Sequence, residues 1–355
     1  MSIADIIRPQ VAAHAPYRPS AIPPNMTCLN ANESAEPTNS EALNRYPENR
    51  PIQLGTQLAA LYQVPVDNLL VTRGSSDAID LLVRACCIEG RDNIVTTTPT
   101  FDMYAKYAQL QGADVRYVPL NPDNNFALET DEVISICDTR TKLVFLGSPN
   151  NPTGSLVSVS DIRTLLRARA NQSIIVVDEA YLEFSEQSSA TSLLSEFDNL
   201  VVLRTLSKAF ATAGARCGCA IAARVVIEAL DKLLPPYALP TPVVDCVLRA
   251  TSAASLAAAT QAIAEVRAHR AALTSALKKY SFVETVWPSE ANFLLVRFAN
   301  AADVHAHLYA DNLLVRNFAS DTTLEDCLRI TIGTGEQQWQ LLASLDRYKD
   351  VRHDA

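Results

Sequence analysis

Ser173-Ile174-Ile175-Val176-Val177-Asp178-Glu179-Ala180-Tyr181 is the stretch whose reading decides the fold. Residues 174–177 are all Ile or Val, an unbroken β-branched run of the kind found in strands buried on both faces. Such strands belong to mainly parallel sheets covered by helices. The run ends on an acid, and a tyrosine follows three residues later. In open α/β sheets ligands bind outside the carboxyl ends of the strands, so Asp178 and Tyr181 stand where a site would form. Working outward, similar short β-rich runs occur at Leu69 to Thr72, Asn93 to Thr97, Asp114 to Val118, Lys142 to Gly147, Asn199 to Thr205 and Cys217 to Ala222. They alternate with helical stretches, which predicts an α/β domain with a mainly parallel sheet wrapped by helices.

Beyond that block the pattern changes. From about Ser252 to Lys279 the sequence is Ala-rich, helical in period and free of Gly and Pro, so it predicts one long helix able to tie two domains together. After it, Phe282 to Val286, Asn292 to Arg297, Asn312 to Arg316 and Cys327 to Ile332 read as strands, with helices near Ala301 to Tyr309 and Glu336 to Tyr348. This is a smaller α+β domain. The start of the chain carries five prolines before Met26 and little periodicity, the pattern of an arm that packs on something else. The expected division is residues 1–45 as an N-terminal arm and part of the small domain, 46–250 as the large domain, 251–280 as the interdomain helix and 281–355 as the small C-terminal domain.

With 355 residues the chain can bury one large core and carry a second domain. Its net charge of −9 and pI near 5.1 give no basic face, so neither nucleic acid nor an anionic membrane is an expected partner. The start, Met1-Ser2-Ile3-Ala4-Asp5, lacks the charged and apolar parts of a signal peptide, and no segment approaches the roughly 20 apolar residues of a membrane helix. A cytoplasmic protein is expected. None of the eight cysteines forms a Cys-x-x-Cys pair, and most lie in apolar runs where a reduced thiol behaves as a small hydrophobe. His305 and His307, two apart on an expected helix, do not share a face. No metal site is expected.

The chemistry centres on Lys208, in Arg204-Thr205-Leu206-Ser207-Lys208-Ala209-Phe210. An aldehyde cofactor needs an amine to hold it as a Schiff base, an acid facing its ring nitrogen and a donor beside its ring oxygen. Lys208, Asp178 and Tyr181 supply these, which is the reading of a pyridoxal phosphate site. Gly74-Ser75-Ser76-Asp77 follows a strand and opens a helix, where backbone N–H groups can bind phosphate; the same residues also serve as an ordinary helix cap. Thr205, Ser207 and Arg216 add hydroxyls and a guanidinium to such a cup. Phe101 follows another strand end and fits either stacking on an aromatic cofactor ring or the core. Asn151, in Ser148-Pro149-Asn150-Asn151-Pro152-Thr153-Gly154, fits either a bond to the ring oxygen or a simple turn. Gly333-Thr334-Gly335 lacks the third glycine of a dinucleotide loop and reads as a capping box of Thr334 with Gln337.

Several ordered motifs together resemble a family: Leu29-Asn30-Ala31-Asn32-Glu33, Asn44-Arg45-Tyr46-Pro47, Arg73-Gly74, Ser148 to Gly154, Asp178 to Tyr181, Arg204 to Phe210 with Gly214 to Gly218, and Cys327 to Gly333. Along nearly its whole length the chain resembles the class I/II, fold type I, pyridoxal phosphate-dependent aminotransferases. The likeness is strongest to the branch acting in histidine biosynthesis. It implies Lys208 as Schiff base and proton shuttle, Asp178 on the pyridine nitrogen, Asn151 and Tyr181 on the ring oxygen, and Phe101 stacked on the ring. It further implies that Ser75, Ser76, Asp77, Thr205, Ser207 and Arg216 form the phosphate cup, with Tyr46 reaching the phosphate from the other subunit of a homodimer. Arg329 would bind a substrate carboxylate, and Tyr17, Asn32 and Arg316 would serve the rest of the substrate. Where many relatives have Tyr this chain has Phe101, and its cup reads Ser75-Ser76-Asp77 where relatives often have Ala-Asp-Glu. The implied small-molecule substrates are histidinol phosphate and 2-oxoglutarate, with imidazole acetol phosphate and glutamate as products. An aromatic amino acid aminotransferase, a threonine-phosphate decarboxylase and a non-catalytic ligand sensor are the alternatives.

Overall fold

In the computed structural model of the chain, residues 2–19, 25–318 and 322–353 are described. A seven-stranded sheet is built from β1 (Leu69–Thr72), β2 (Asn93–Thr98), β3 (Asp114–Pro119), β4 (Thr141–Gly147), β5 (Ile174–Asp178), β6 (Leu200–Thr205) and β7 (Gly218–Ala222). Their spatial order is β1-β7-β6-β5-β4-β2-β3. Only β7 runs against its neighbours; the pairs from β6 through β3 are all parallel. The expected mainly parallel sheet is therefore present, and β5 lies at its centre.

The sequence of β5 explains that position. Ile174 and Val176 face one apolar core, whereas Ile175 and Val177 face the other, and all four are fully buried. A strand with water on neither side needs apolar residues at every position. Each such side chain contributes about 1.5–3 kcal/mol by leaving water, so a single charge here would break the layer. Helices close both faces. Helix Ser75–Cys86 buries Ala78, Ile79, Leu81, Leu82 and Ala85 against the sheet and leaves Arg84 in its last turn. The start of the chain joins the same layer: Ile3, Ile6, Ile7 and Val11 are buried in it, and the Arg8 N–H donates to the Ala85 carbonyl at 2.8 Å.

Helix Ala253–Leu277 matches the long helix expected from the sequence, and the Ser252 hydroxyl caps its first turn. It leads to a four-stranded antiparallel sheet of β8 (Val283–Val286), β9 (Phe293–Phe298), β10 (Arg316–Asn317) and β11 (Cys327–Thr331), ordered β10-β11-β9-β8. Helices Ala301–Ala310 and Gly335–His353 pack on it. The expected strand over Asn312 to Arg316 is corrected to Arg316–Asn317 alone. Asn312 takes a left-handed φ of 61° and the Leu313 N–H closes the preceding helix on Leu308. Leu313 and Val315 then pack inward while Leu314 is exposed, so their alternation reflects an extended segment that meets its partner strand only at Arg316. The Thr334–Gln337 capping box is formed reciprocally at 3.3 and 3.0 Å. Among the described residues no single helix is long and apolar enough to cross a membrane.

Candidate active site

Because β7 is reversed, its amino end lies at the same sheet edge as the carboxyl ends of β1, β2, β4, β5 and β6. That reversal brings Arg216, two residues before β7, beside the loops that follow the other strands. Together they enclose a cleft of about 440 Å³, whose far wall carries Arg316 and Arg329 from the small sheet and Phe318 just beyond β10. This is the size of a small-ligand site.

Asp178, the last residue of β5, forms the floor and is 5% exposed. Its Oδ2 accepts from the Tyr104 hydroxyl at 2.9 Å and its Oδ1 from the Ala180 N–H at 3.2 Å. Burial pushes the carboxyl up to about 6, against those two hydrogen bonds, which favour the ionised form. Lys208 reaches into the cleft from the turn after β6. Partial burial lowers the pKa of its amine, and the positive charges of Arg329 and Arg216 lower it further. Lys208 Nζ stands 5.5 Å from the centre of the Tyr181 ring. Burial raises the Tyr181 phenol to about 12, so at neutral pH it remains a hydrogen-bond donor. Arg329 donates to the Asn151 amide oxygen and lies over Phe293, which joins the small sheet to the loop after β4.

The opposite end of the cleft is a cup of donors. Gly74 caps helix Ser75–Cys86 with no side-chain hydrogen bond, so the first backbone N–H groups, on Ser75 and Ser76 that line the cleft, are left without a side-chain cap. Gly74 has φ of 81°, and a Cβ there would stand 3.1 Å from an Arg216 guanidinium nitrogen. At Gly218 a Cβ would meet the Ser75 nitrogen and the Arg204 carbonyl at 2.7 Å, so the start of helix Ser75–Cys86 and β6 come this close to β7 only without a side chain. Arg216 itself holds φ of 53°, a conformation costly for a non-glycine residue and common at ligand sites. Thr205 and Ser207 complete the cup, their hydroxyls 3.0 Å apart.

A buried ion network braces this edge from behind. Arg204 bonds Glu179 at 2.8 Å and Glu183 at 2.7 Å, and Glu179 also accepts from the Ser189 hydroxyl and the Ala190 N–H. It ties the turn after Asp178 to β6, the strand that leads to Lys208.

Of the residues expected from sequence, Ser75, Ser76, Phe101, Asn151, Asp178, Tyr181, Thr205, Ser207, Lys208, Arg216, Arg316 and Arg329 line one cleft. Asp77 does not; its carboxylate bonds the Arg73 side chain at 2.8 Å and the Arg73 N–H at 3.0 Å. Tyr17, Asn32 and Tyr46 also lie outside it. Tyr46 stacks on Tyr237 with ring centres 4.6 Å apart, and Tyr17 meets the same ring edge-on. Sequence reasoning passed over Tyr104, Thr100 and Phe318, which also line the cleft. The only signal for Tyr104 was its place three residues after Phe101, and a tyrosine in an apolar helix reads equally well as core.

The sequence model of the family described as aminotransferase class I and II matches residues 23–345. The chain belongs to that family. It is 44% identical to a histidinol-phosphate aminotransferase of Xylella fastidiosa over 352 residues, covering 97% of this chain and 96% of the relative. Among solved structures, a histidinol-phosphate aminotransferase from Clostridium acetobutylicum superposes with a TM-score of 0.79 at 22% identity, covering 87% of this chain and 91% of that one. One from Sinorhizobium meliloti, in complex with pyridoxal-5'-phosphate, gives 0.78 at 21% identity over 87% and 84%. These two likenesses show the fold, which is the fold type I aminotransferase architecture expected from sequence.

The residues present fit pyridoxal phosphate. The cup offers uncapped helix N–H groups, two hydroxyls and Arg216 to a phosphate, and the glycines leave room for it. At the other end a buried acid, a neutral phenol and an amine with a lowered pKa face the same space. Those groups match a ring nitrogen, a ring oxygen and an aldehyde.

Proposed function

We propose that this aminotransferase moves the amino group between L-histidinol phosphate and 2-oxoglutarate, yielding imidazole acetol phosphate and glutamate. The observation that carries the substrate is the pairing of Arg316 with Arg329 across β10 and β11, which sets two guanidiniums on the cleft wall opposite the phosphate cup. Arginine's planar fork bonds phosphate or carboxylate oxygens in pairs, so one site can take a phosphorylated donor and then a dicarboxylate acceptor. The full-length identity to a histidinol-phosphate aminotransferase supports the same assignment.

Bound pyridoxal phosphate would supply an aldehyde for the substrate amine and a ring that takes up the electron pair left when the substrate's α-proton departs. Ser75, Ser76, Thr205, Ser207 and Arg216 would hold its phosphate, Asp178 its ring nitrogen, Asn151 and Tyr181 its ring oxygen, and Phe101 would cover its ring. Lys208 Nζ carries the proton. Its lowered pKa keeps more of the amine neutral than in a free lysine, and a neutral amine can take a proton from the substrate and return it. The buried Asp178 carboxylate balances positive charge on whatever faces it. Tyr17, Asn32 and Tyr46 would complete the cleft of a second copy in a homodimer, which agrees with the exposure of both tyrosines on the single chain.

The test is a donor panel of histidinol phosphate, phenylalanine and threonine phosphate, with 2-oxoglutarate as acceptor and product analysis by mass spectrometry. Histidinol phosphate should be the best donor, with glutamate formed in equal amount. A preference for phenylalanine, or carbon dioxide released from threonine phosphate, would replace this reading with another of the same fold.

A further inference from the structure

Tyr104 is a buried tyrosine with no role among the groups assigned above. It lies in the first turn of helix Met103–Leu110, beyond the end of β2 at Thr98, it is 2% exposed, and it lines the cleft. Its ring lies nearly parallel to Phe145 at 5.1 Å and 9°, and edge-on to Phe101 at 5.6 Å. A ring held between two others has little freedom. Its hydroxyl is thus fixed on the Asp178 carboxylate at 2.9 Å. Since the Ala180 N–H takes the other oxygen, both Asp178 oxygens are oriented by the protein.

We propose that Tyr104 is a positioning residue, which sets the orientation and the charge of Asp178 toward the group bound in the cleft while buttressing Phe101. The proposal rests on the reading that Asp178 faces a cofactor ring nitrogen. Four ionisable groups act on Asp178 from the elements around it: Tyr104 from its helix, Glu179 and Tyr181 from the turn after β5, and Lys208 from the turn after β6. Glu179 repels its charge and is itself held by Arg204, whereas Lys208 attracts it. Tyr104 is the one among them that bonds it directly, and it does so as a donor because burial keeps its phenol protonated.

The test compares Tyr104→Phe, Asp178→Asn and the double variant. Removing only the hydroxyl leaves the stack on Phe145, so the variant should fold with an unchanged circular dichroism spectrum. A hydrogen bond to a charged group supports a loss of about 10-fold in cofactor affinity by equilibrium dialysis. In the Asp178→Asn background the same change should cost less than about 3-fold, because an amide needs no charge support. Infrared titration of the cofactor-free protein, with the Asp178→Asn spectrum subtracted, should show the Asp178 carboxyl titrating at higher pH in Tyr104→Phe. An unshifted titration, or equal losses of affinity in both backgrounds, would reduce Tyr104 to packing and overturn the proposal. If instead Asp178→Asn bound cofactor and turned over as the wild type does, the reading of Asp178 would fail. The cofactor-free titration would still report on the hydrogen bond.

Discussion

The edge of the large sheet and the exposed margin formed by Tyr17, Asn32 and Tyr46 carry the two halves of the expected site in opposite physical states. At the sheet edge the groups are held by the chain itself: Asp178 by Tyr104 and Ala180, Arg204 by Glu179 and Glu183, and Arg216 by the Ala213 carbonyl. At the margin Tyr17 and Tyr46 are 56% and 57% exposed and touch chiefly Tyr237. A reacting group must be fixed to a fraction of an ångström before substrate arrives, and burial within one chain provides that. A group that completes a neighbouring site has no such partner on its own chain. Variants at the buried edge should therefore lose chemistry, and variants toward the margin should lose affinity or cooperation between chains.

The largest effect belongs to Lys208→Ala. Removing the proton carrier should lower turnover by about 10⁴-fold or more while the phosphate cup still retains cofactor noncovalently. Borohydride reduction of the wild-type protein followed by peptide mapping should label Lys208. A label on another lysine would move the centre of the site elsewhere.

Next is Asp178→Asn, which should fold and lose about 10²- to 10³-fold in turnover, because a neutral amide cannot balance a positive ring. Its stability moves the other way. The folded carboxyl titrates near 6, above its ordinary 3.8, so ionising it opposes folding. Stability from this group is full below pH about 4 and is lost as pH rises through about 6. Cofactor-free Asp178→Asn should therefore be more stable than wild type at pH 7, by about 1–3 kcal/mol in urea titration, and the gap should close on acidification. A gap independent of pH would show that Asp178 is ionised at no cost in the folded protein.

The contrast between the regions also separates what the sequence shows from what it hides. β5 and the strands beside it are legible because burial on both faces demands runs such as Ile174 to Val177, and the residues just beyond them stand out as the first polar positions. Asp178 is found that way, and Lys208 through the motif Arg204 to Phe210 that supplies the amine to go with it. Tyr104 is not, since helix Met103–Leu110 has buried positions that accept a tyrosine for packing alone, and its hydrogen bond crosses 74 positions of sequence. The Arg204–Glu179–Glu183 network is hidden for the same reason: each member looks like one more motif residue until the two strand ends are side by side. Asp77 shows the opposite error, a residue at the right helix end whose carboxylate is taken by Arg73. The short β10 was over-read because alternation between Leu313 and Val315 arises from one-sided packing as readily as from strand pairing.

On the substrate wall, a charge-assisted bond contributes roughly 1.5–3 kcal/mol, so Arg316→Ala should lower kcat/KM for histidinol phosphate by about 10- to 150-fold. Phenylalanine as donor should be affected far less. Arg329→Ala should also weaken 2-oxoglutarate, since Arg329 is the guanidinium that lies nearer the amine and bonds Asn151. Equal losses on both donors in Arg316→Ala would mean that this arginine supports the wall and does not select for phosphate.

The smallest effect tests the margin itself. If Tyr46 serves the cleft of a second copy, a Tyr46→Phe chain carries an intact sheet edge but offers its neighbour a defective margin, and a Lys208→Ala chain does the reverse. In a mixed dimer the cleft built on the Tyr46→Phe chain would receive a native Tyr46 from the Lys208→Ala chain, so one of its two sites would have both residues. With equal mixing and free exchange, half the dimers are mixed, and about a quarter of all sites should regain full activity. The readout is turnover above the average of the two parents, developing at the rate of subunit exchange followed by mass spectrometry. Exchange without any gain would place Tyr46 in service of its own chain, and the exposure it shows here would then have to be closed by a movement of residues 25–50 toward the cleft.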